Sequence, residues 1–96
     1  MAASQGRHEP YVARVRITLK PVVLDPQGDT VLSALHQLDF PGVNSVRVGK
    51  YLEISLQAEN MEDASSLVRR MCDQLLANPV IERYDFTVEA GESDLQ

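Results

Sequence analysis

Residues 11–21 read Tyr-Val-Ala-Arg-Val-Arg-Ile-Thr-Leu-Lys-Pro, placing Ala13, Val15, Ile17 and Leu19 two apart with Arg14, Arg16 and Thr18 between them. A strand sends successive side chains to opposite faces, so this period of two predicts a β-strand with one apolar and one polar face. Lys20-Pro21 closes it, because proline has no N–H to give to a ladder. On the N-terminal side residues 1–10 are small and polar, end in Pro10 and follow neither period, which predicts a mobile tail. On the other side, Val22 to Leu24 connects to Asp25-Pro26, an N-cap carboxylate followed by proline at the first helical position.

A helix is therefore expected from Pro26 to about Asp39, with Val31, Leu35 and Leu38 in an apolar stripe widened by Leu32, and a stop at Phe40-Pro41-Gly42. Val43 to Val48 reads as a short strand. Leu52, Ile54 and Leu56, alternating with Glu53, Ser55 and Gln57, read as another, joined to it by a hairpin at Gly49-Lys50. Side-chain parity then requires that this loop be odd or bulged, or that Val46 and Val48 line an interface between copies. Asn60 caps a second helix carrying Ala64, Leu67, Val68, Met71 and Leu75 on one stripe, with Glu62 and Asp63 in its first turn, up to Asn78-Pro79. Tyr84, Phe86 and Val88 alternate with Arg83, Asp85 and Thr87 as a last strand. The order βαββαβ predicts an α+β, ferredoxin-like fold: a four-stranded antiparallel sheet with two helices on one face. Residues 11–89 form the single domain and residues 90–96 an acidic C-terminal tail.

The chain has 96 residues, 44 % hydrophobic and 24 % charged, which suits one globular domain. With 9 Lys+Arg against 14 Asp+Glu its net charge is -5, so a nucleic-acid backbone would repel it. The expected polar sheet face, Arg14, Arg16, Thr18, Glu53, Ser55, Gln57, Arg83, Asp85 and Thr87, offers no aromatic on which a base could stack. It reads equally as a solvated face of cross-strand charge pairs or as a packing face for a second copy. No apolar run approaches the ~20 residues that span a bilayer. The first residues carry no signal-like core and the lone Cys72 has no disulfide partner, so a cytoplasmic location is expected.

Catalytic chemistry is hard to seat. His8 and His36 lack companions at metal-ligand spacing, and His36 with Asp39 three residues on suggests only a helical hydrogen bond. Cys72 lies beside an apolar stripe with no base near it in sequence, as a buried thiol would. Glu59 and Glu62 flank a helix start and read as solvation. No nucleophile elbow, phosphate loop or dinucleotide fingerprint is present. Arg47-Val48-Gly49-Lys50 sets two cations about a glycine, either as a plain exposed turn or as a cradle for an anion.

Thr18-Leu19-Lys20-Pro21, Leu24-Asp25-Pro26-Gln27-Gly28, Ala34-Leu35-His36 and Arg47-Val48-Gly49-Lys50-Tyr51, in this order and spacing, resemble the PurS family, small subunits of formylglycinamide ribonucleotide amidotransferase (phosphoribosylformylglycinamidine synthase) in purine biosynthesis. Val22 departs from the glycine expected there, and both tails look like extensions. The resemblance implies a non-catalytic subunit of an ATP-dependent carbon-nitrogen ligase complex. It would bridge a glutaminase subunit and a synthetase subunit, assist ammonia transfer between them, and self-associate as a dimer or tetramer. It also implies no cofactor or metal in this chain, ATP and Mg²⁺ being used by the synthetase. Partner contacts are expected at Lys20, Asp25, Gln27, Gly28, Arg47, Gly49 and Lys50. Two rival classes are a regulatory domain of the same topology binding a small ligand at a dimer interface, and an acylphosphatase-like hydrolase. The first wants a glycine-rich loop before Gly28 and the second an arginine-bearing cradle in its first loop, where only Lys20 stands.

Overall fold

A computed structural model describes residues 8–91. The elements run β1 (Glu9–Leu19), α1 (Pro26–Gln37), β2 (Gly49–Ala58), α2 (Met61–Met71), a π-helical turn (Cys72–Leu76) and β3 (Glu82–Ala90). The sheet is antiparallel, in the order β2-β1-β3. β1 opens two residues earlier than expected, Glu9 already pairing with Ala58, and Ala90 still pairs with Tyr11. The remainder of the two expected tails, residues 1–7 and 92–96, lies outside the described residues.

The period of two in β1 does what it predicts: Tyr11, Ala13, Val15 and Ile17 are buried, while Arg14, Arg16 and Thr18 take the other face. Register places Val15 between Leu52 and Phe86, and Ala13 between Ile54 and Val88, so the apolar positions of all three strands share a face. α2 and the π-helical turn lie on that face, with Ala64, Val68 and Cys72 fully buried against it. Asn60 caps α2 by accepting from the Asp63 amide at 2.8 Å, and the Asp63 carboxylate in turn accepts from the Glu59 amide at 3.1 Å. Leu75, expected on the stripe, is exposed, and Leu76 packs on the core in its place. The π-helical turn carries more residues per turn than an α-helix, which shifts the helical phase at that point. The polar face pairs Arg14 with Glu53 and Glu89, and Arg16 with Asp85. Tyr51 also stands on it, across from Arg16 and donating to Glu53, so the face does hold one aromatic.

Two expectations fail together. Among the described residues the sheet has three strands, not four: Val43 to Val48 joins no ladder, and Gly49-Lys50 is no hairpin turn but the first two residues of β2, paired with Thr18 and Ile17. Nor do two helices cover the sheet, since α2 alone packs on it. α1 and the returning residues 38–48 stand away from the sheet as an arm, and the radius of gyration is 18.2 Å where a compact chain of this length has about 12–13 Å. The bounds of α1 agree with its signals, Asp25 capping it and Asp39 leaving it at φ 78° in the left-handed region. Its stripe is only partly covered, Leu32 and Leu35 being half-buried. Val31 and Leu38 are exposed, as are Val22, Leu24 and Phe40 beside the helix.

Candidate functional site

The seven expected contact residues all lie at the base of the arm, and Asp25 explains how. It is the one buried charged residue among those described. One carboxylate oxygen accepts from the Gly28 amide at 2.9 Å, capping α1; the other accepts from the Val48 amide at 2.9 Å, fastening the returning chain. A single side chain thus closes a loop of more than twenty residues. The bonds from Val48 and Gly28, with the Arg47 guanidinium behind them, hold its carboxyl below the ordinary carboxylate range against the opposing effect of burial. Arg47 Nε lies 3.9 Å from Asp25, and its Nη2 donates to the Lys20 carbonyl at 3.0 Å, joining the two chain segments that enter and leave the arm.

Two glycines permit this closure by their lack of a side chain. A Cβ on Gly28 would lie 2.2 Å from the Val46 carbonyl oxygen, and one on Gly49 would lie 2.5 Å from the Ile17 carbonyl oxygen. Lys50 reaches Glu82 of β3 at 3.8 Å. Gln27, Asp25, Val48, Gly49, Lys50 and Glu82 line a small cleft of about 200 Å³ beside Ile17 and Leu19. Lys20 belongs to the site through its carbonyl, which receives Arg47, and lies outside this cleft.

Glu82 escaped the sequence reading, because its place depends on the register that sets it across from Leu19. Parity along the last strand could have located it had that register been known. Asp25 is held ionised with both oxygens occupied, and Lys50 faces a carboxylate, which suits the cleft to holding a join and not to moving protons. His36 turns from Asp39 to donate through Nε2 to the Val43 carbonyl at 2.8 Å, bracing the arm. Cys72 is fully buried, and that burial raises its thiol above the ordinary range. Among the described residues no three His, Cys, Asp or Glu side chains group to hold a metal, and no helix is long and apolar enough to cross a membrane.

Residues 12–90 match the family described as PurS, phosphoribosylformylglycinamidine (FGAM) synthase. A phosphoribosylformylglycinamidine synthase subunit PurS from Synechocystis is 51 % identical over 82 residues, covering 85 % of this chain and 82 % of its own. The subunit of the same name from Bacillus subtilis is 46 % identical over 79 residues, covering 82 % and 93 %. Among solved structures, Thermus thermophilus PurS superposes with a TM-score of 0.78 at 43 % identity, over 86 % of this chain and 99 % of that one. A chain of PurLQS from Thermotoga maritima superposes with a TM-score of 0.77 at 30 % identity, over 83 % and 98 %.

Proposed function

Because this chain belongs to the PurS family, and so is a subunit of the phosphoribosylformylglycinamidine synthase complex of purine biosynthesis, we propose that it serves that complex as a docking subunit. It bridges the glutaminase and synthetase subunits and assists the transfer of ammonia from one to the other. The observation that carries this reading is the arm. A helix capped and clasped in place presents Val31, Leu38 and Phe40 to solvent, which is the form of an element whose partner lies on another chain. PurLQS of Thermotoga maritima supports the same reading, its name joining a PurS chain to two further subunits.

Self-association belongs to the proposal. Among the described residues β2 and β3 each leave one edge unpaired and Val43 to Val48 joins no ladder, so two copies can satisfy each other's edges and cover the arms. The chain works in the cytoplasm, uses no cofactor of its own and leaves ATP and Mg²⁺ to the synthetase. Lys20, Asp25, Gln27, Gly28, Arg47, Gly49 and Lys50 set the geometry of the arm's base that partners meet.

Reconstitution tests the function. With the chain omitted, glutamine-dependent product formation should be lost while concentrated free ammonia still sustains the synthetase, since ammonia from solution bypasses docking. Full glutamine-dependent turnover by the other two subunits alone would overturn the reading. Loss of ammonia-dependent turnover as well would move the role from transfer to support of the synthetase.

A further inference from the structure

At the end of the sheet where β1 hands the chain to the arm, Thr18, Leu19, Pro21, Arg47 and Arg83 line a second, open cleft of about 350 Å³. Arg83 stands directly across from Thr18 on the polar face. Its neighbours along that face, Arg14 and Arg16, are each neutralised by carboxylates of the adjoining strands. Among the described residues Arg83 has no ion pair. Arg47 approaches from the arm and is held in place by the Lys20 carbonyl; its one acidic neighbour, Asp25, is already bonded by two amides. Two arginines, one from the arm and one from β3, therefore line a cleft with no carboxylate in its lining, on a chain whose net charge is -5.

The floor identifies the occupant. Leu19 and Pro21 give it an aliphatic surface, of no use to a bare inorganic anion but suited to an apolar side chain. A guanidinium fork matches a carboxylate in two parallel hydrogen bonds, and two forks over an apolar floor match an acidic residue next to an apolar one. We propose that this cleft seats an acidic, partly apolar peptide segment of another subunit of the same complex. The proposal rests on the reading of the chain as a docking subunit. Charge complementarity at such a rim acts on the rate of encounter, so the contact is sensitive to salt.

The test is equilibrium assembly of the full chain with the purified glutaminase and synthetase subunits over a series of salt concentrations. Arg83→Glu should weaken assembly about tenfold and flatten its salt dependence, Arg83→Lys should weaken it less because a point charge replaces the fork, and Arg70→Glu on exposed α2 should match wild type. Melting of each variant alone should stay near that of wild type. Wild-type assembly that Arg83→Glu leaves equally tight overturns the cleft and leaves the docking reading standing. Failure of the wild-type chain to assemble overturns both. Inorganic phosphate should compete no better than chloride at equal ionic strength; competition by phosphate that Arg83→Glu abolishes would make the cleft a phosphate site and overturn the peptide.

Discussion

The two helices begin alike and end in different surroundings. Each has a capping side chain, Asp25 or Asn60, each carries acid in its first turn, and each shows an apolar stripe. α2 buries Ala64 and Val68 to the last atom, as the turn that follows it buries Cys72, whereas α1 buries only Gly28 and leaves Val31 and Leu38 in water. An amphipathic pattern thus states that a helix needs an apolar partner without saying on which chain the partner lies. The body made of the sheet and α2 closes on itself. The arm is held only at its base, by hydrogen bonds and close backbone approach, and its apolar face is left for assembly.

The largest effect belongs to the body. Ile17→Ala empties a fully buried site and should lower the unfolding free energy by about 2–5 kcal/mol in denaturant titrations. An unchanged midpoint would mean that the body is not the stable unit. Gly28→Ala should come next, at about 1–3 kcal/mol, because the added methyl meets a backbone carbonyl that cannot turn aside as a side chain could, and this outweighs alanine's better helix propensity. Hydrogen exchange localises the damage: the Val48 amide should lose protection while the β1 amides keep theirs.

Asp25 sharpens the division through pH. Its folded carboxyl titrates below the ordinary range, so the stability it contributes is complete above the unfolded value of about 3.9 and is lost as pH falls through the folded one. Acidification below about pH 4 should release exchange at Gly28 and Val48 beyond what Asp25→Asn shows over the same range. Equal acid sensitivity in both proteins would place the clasp elsewhere. The smallest effect on the isolated chain is expected from Leu38→Ser, within about 0.5 kcal/mol, since the side chain is already exposed. The same change should weaken self-association in sedimentation at micromolar concentration. A wild-type chain that sediments as a clean monomer there would remove the assembly role of the arm.

The seven residues of the arm's base were readable in part because several follow local rules. Asp25-Pro26 is a helix start, as expected, whereas Gly49, expected at a hairpin turn, is instead a place within β2 where backbone comes close to backbone. Their convergence was not readable, since it depends on Val48 returning to Asp25 across the whole arm. Glu82 was hidden for the same reason, and Arg83, expected on the polar face, owes its place at the second cleft to the register of β3 on β1. Leu75 and Leu76 exchanged roles through one wide turn that the 3.6 period does not announce.

Spacing alone specified whatever depends on neighbours a few residues away: the buried side of β1, the caps at Asp25 and Asn60 and the polar face with its cross-strand charges. Tertiary structure decided which of those elements meet. Val46 and Val48 alternate as a strand would, yet a strand exists only when a second backbone supplies its hydrogen bonds, and β2 has paired its inner edge with β1 and left the outer one open. The apolar stripe of α1 is equally well formed and equally unpartnered. Both shortfalls have one cause: periodicity encodes the face an element must cover, while the partner that covers it is chosen by long-range geometry, within the chain for α2 and outside it for the arm.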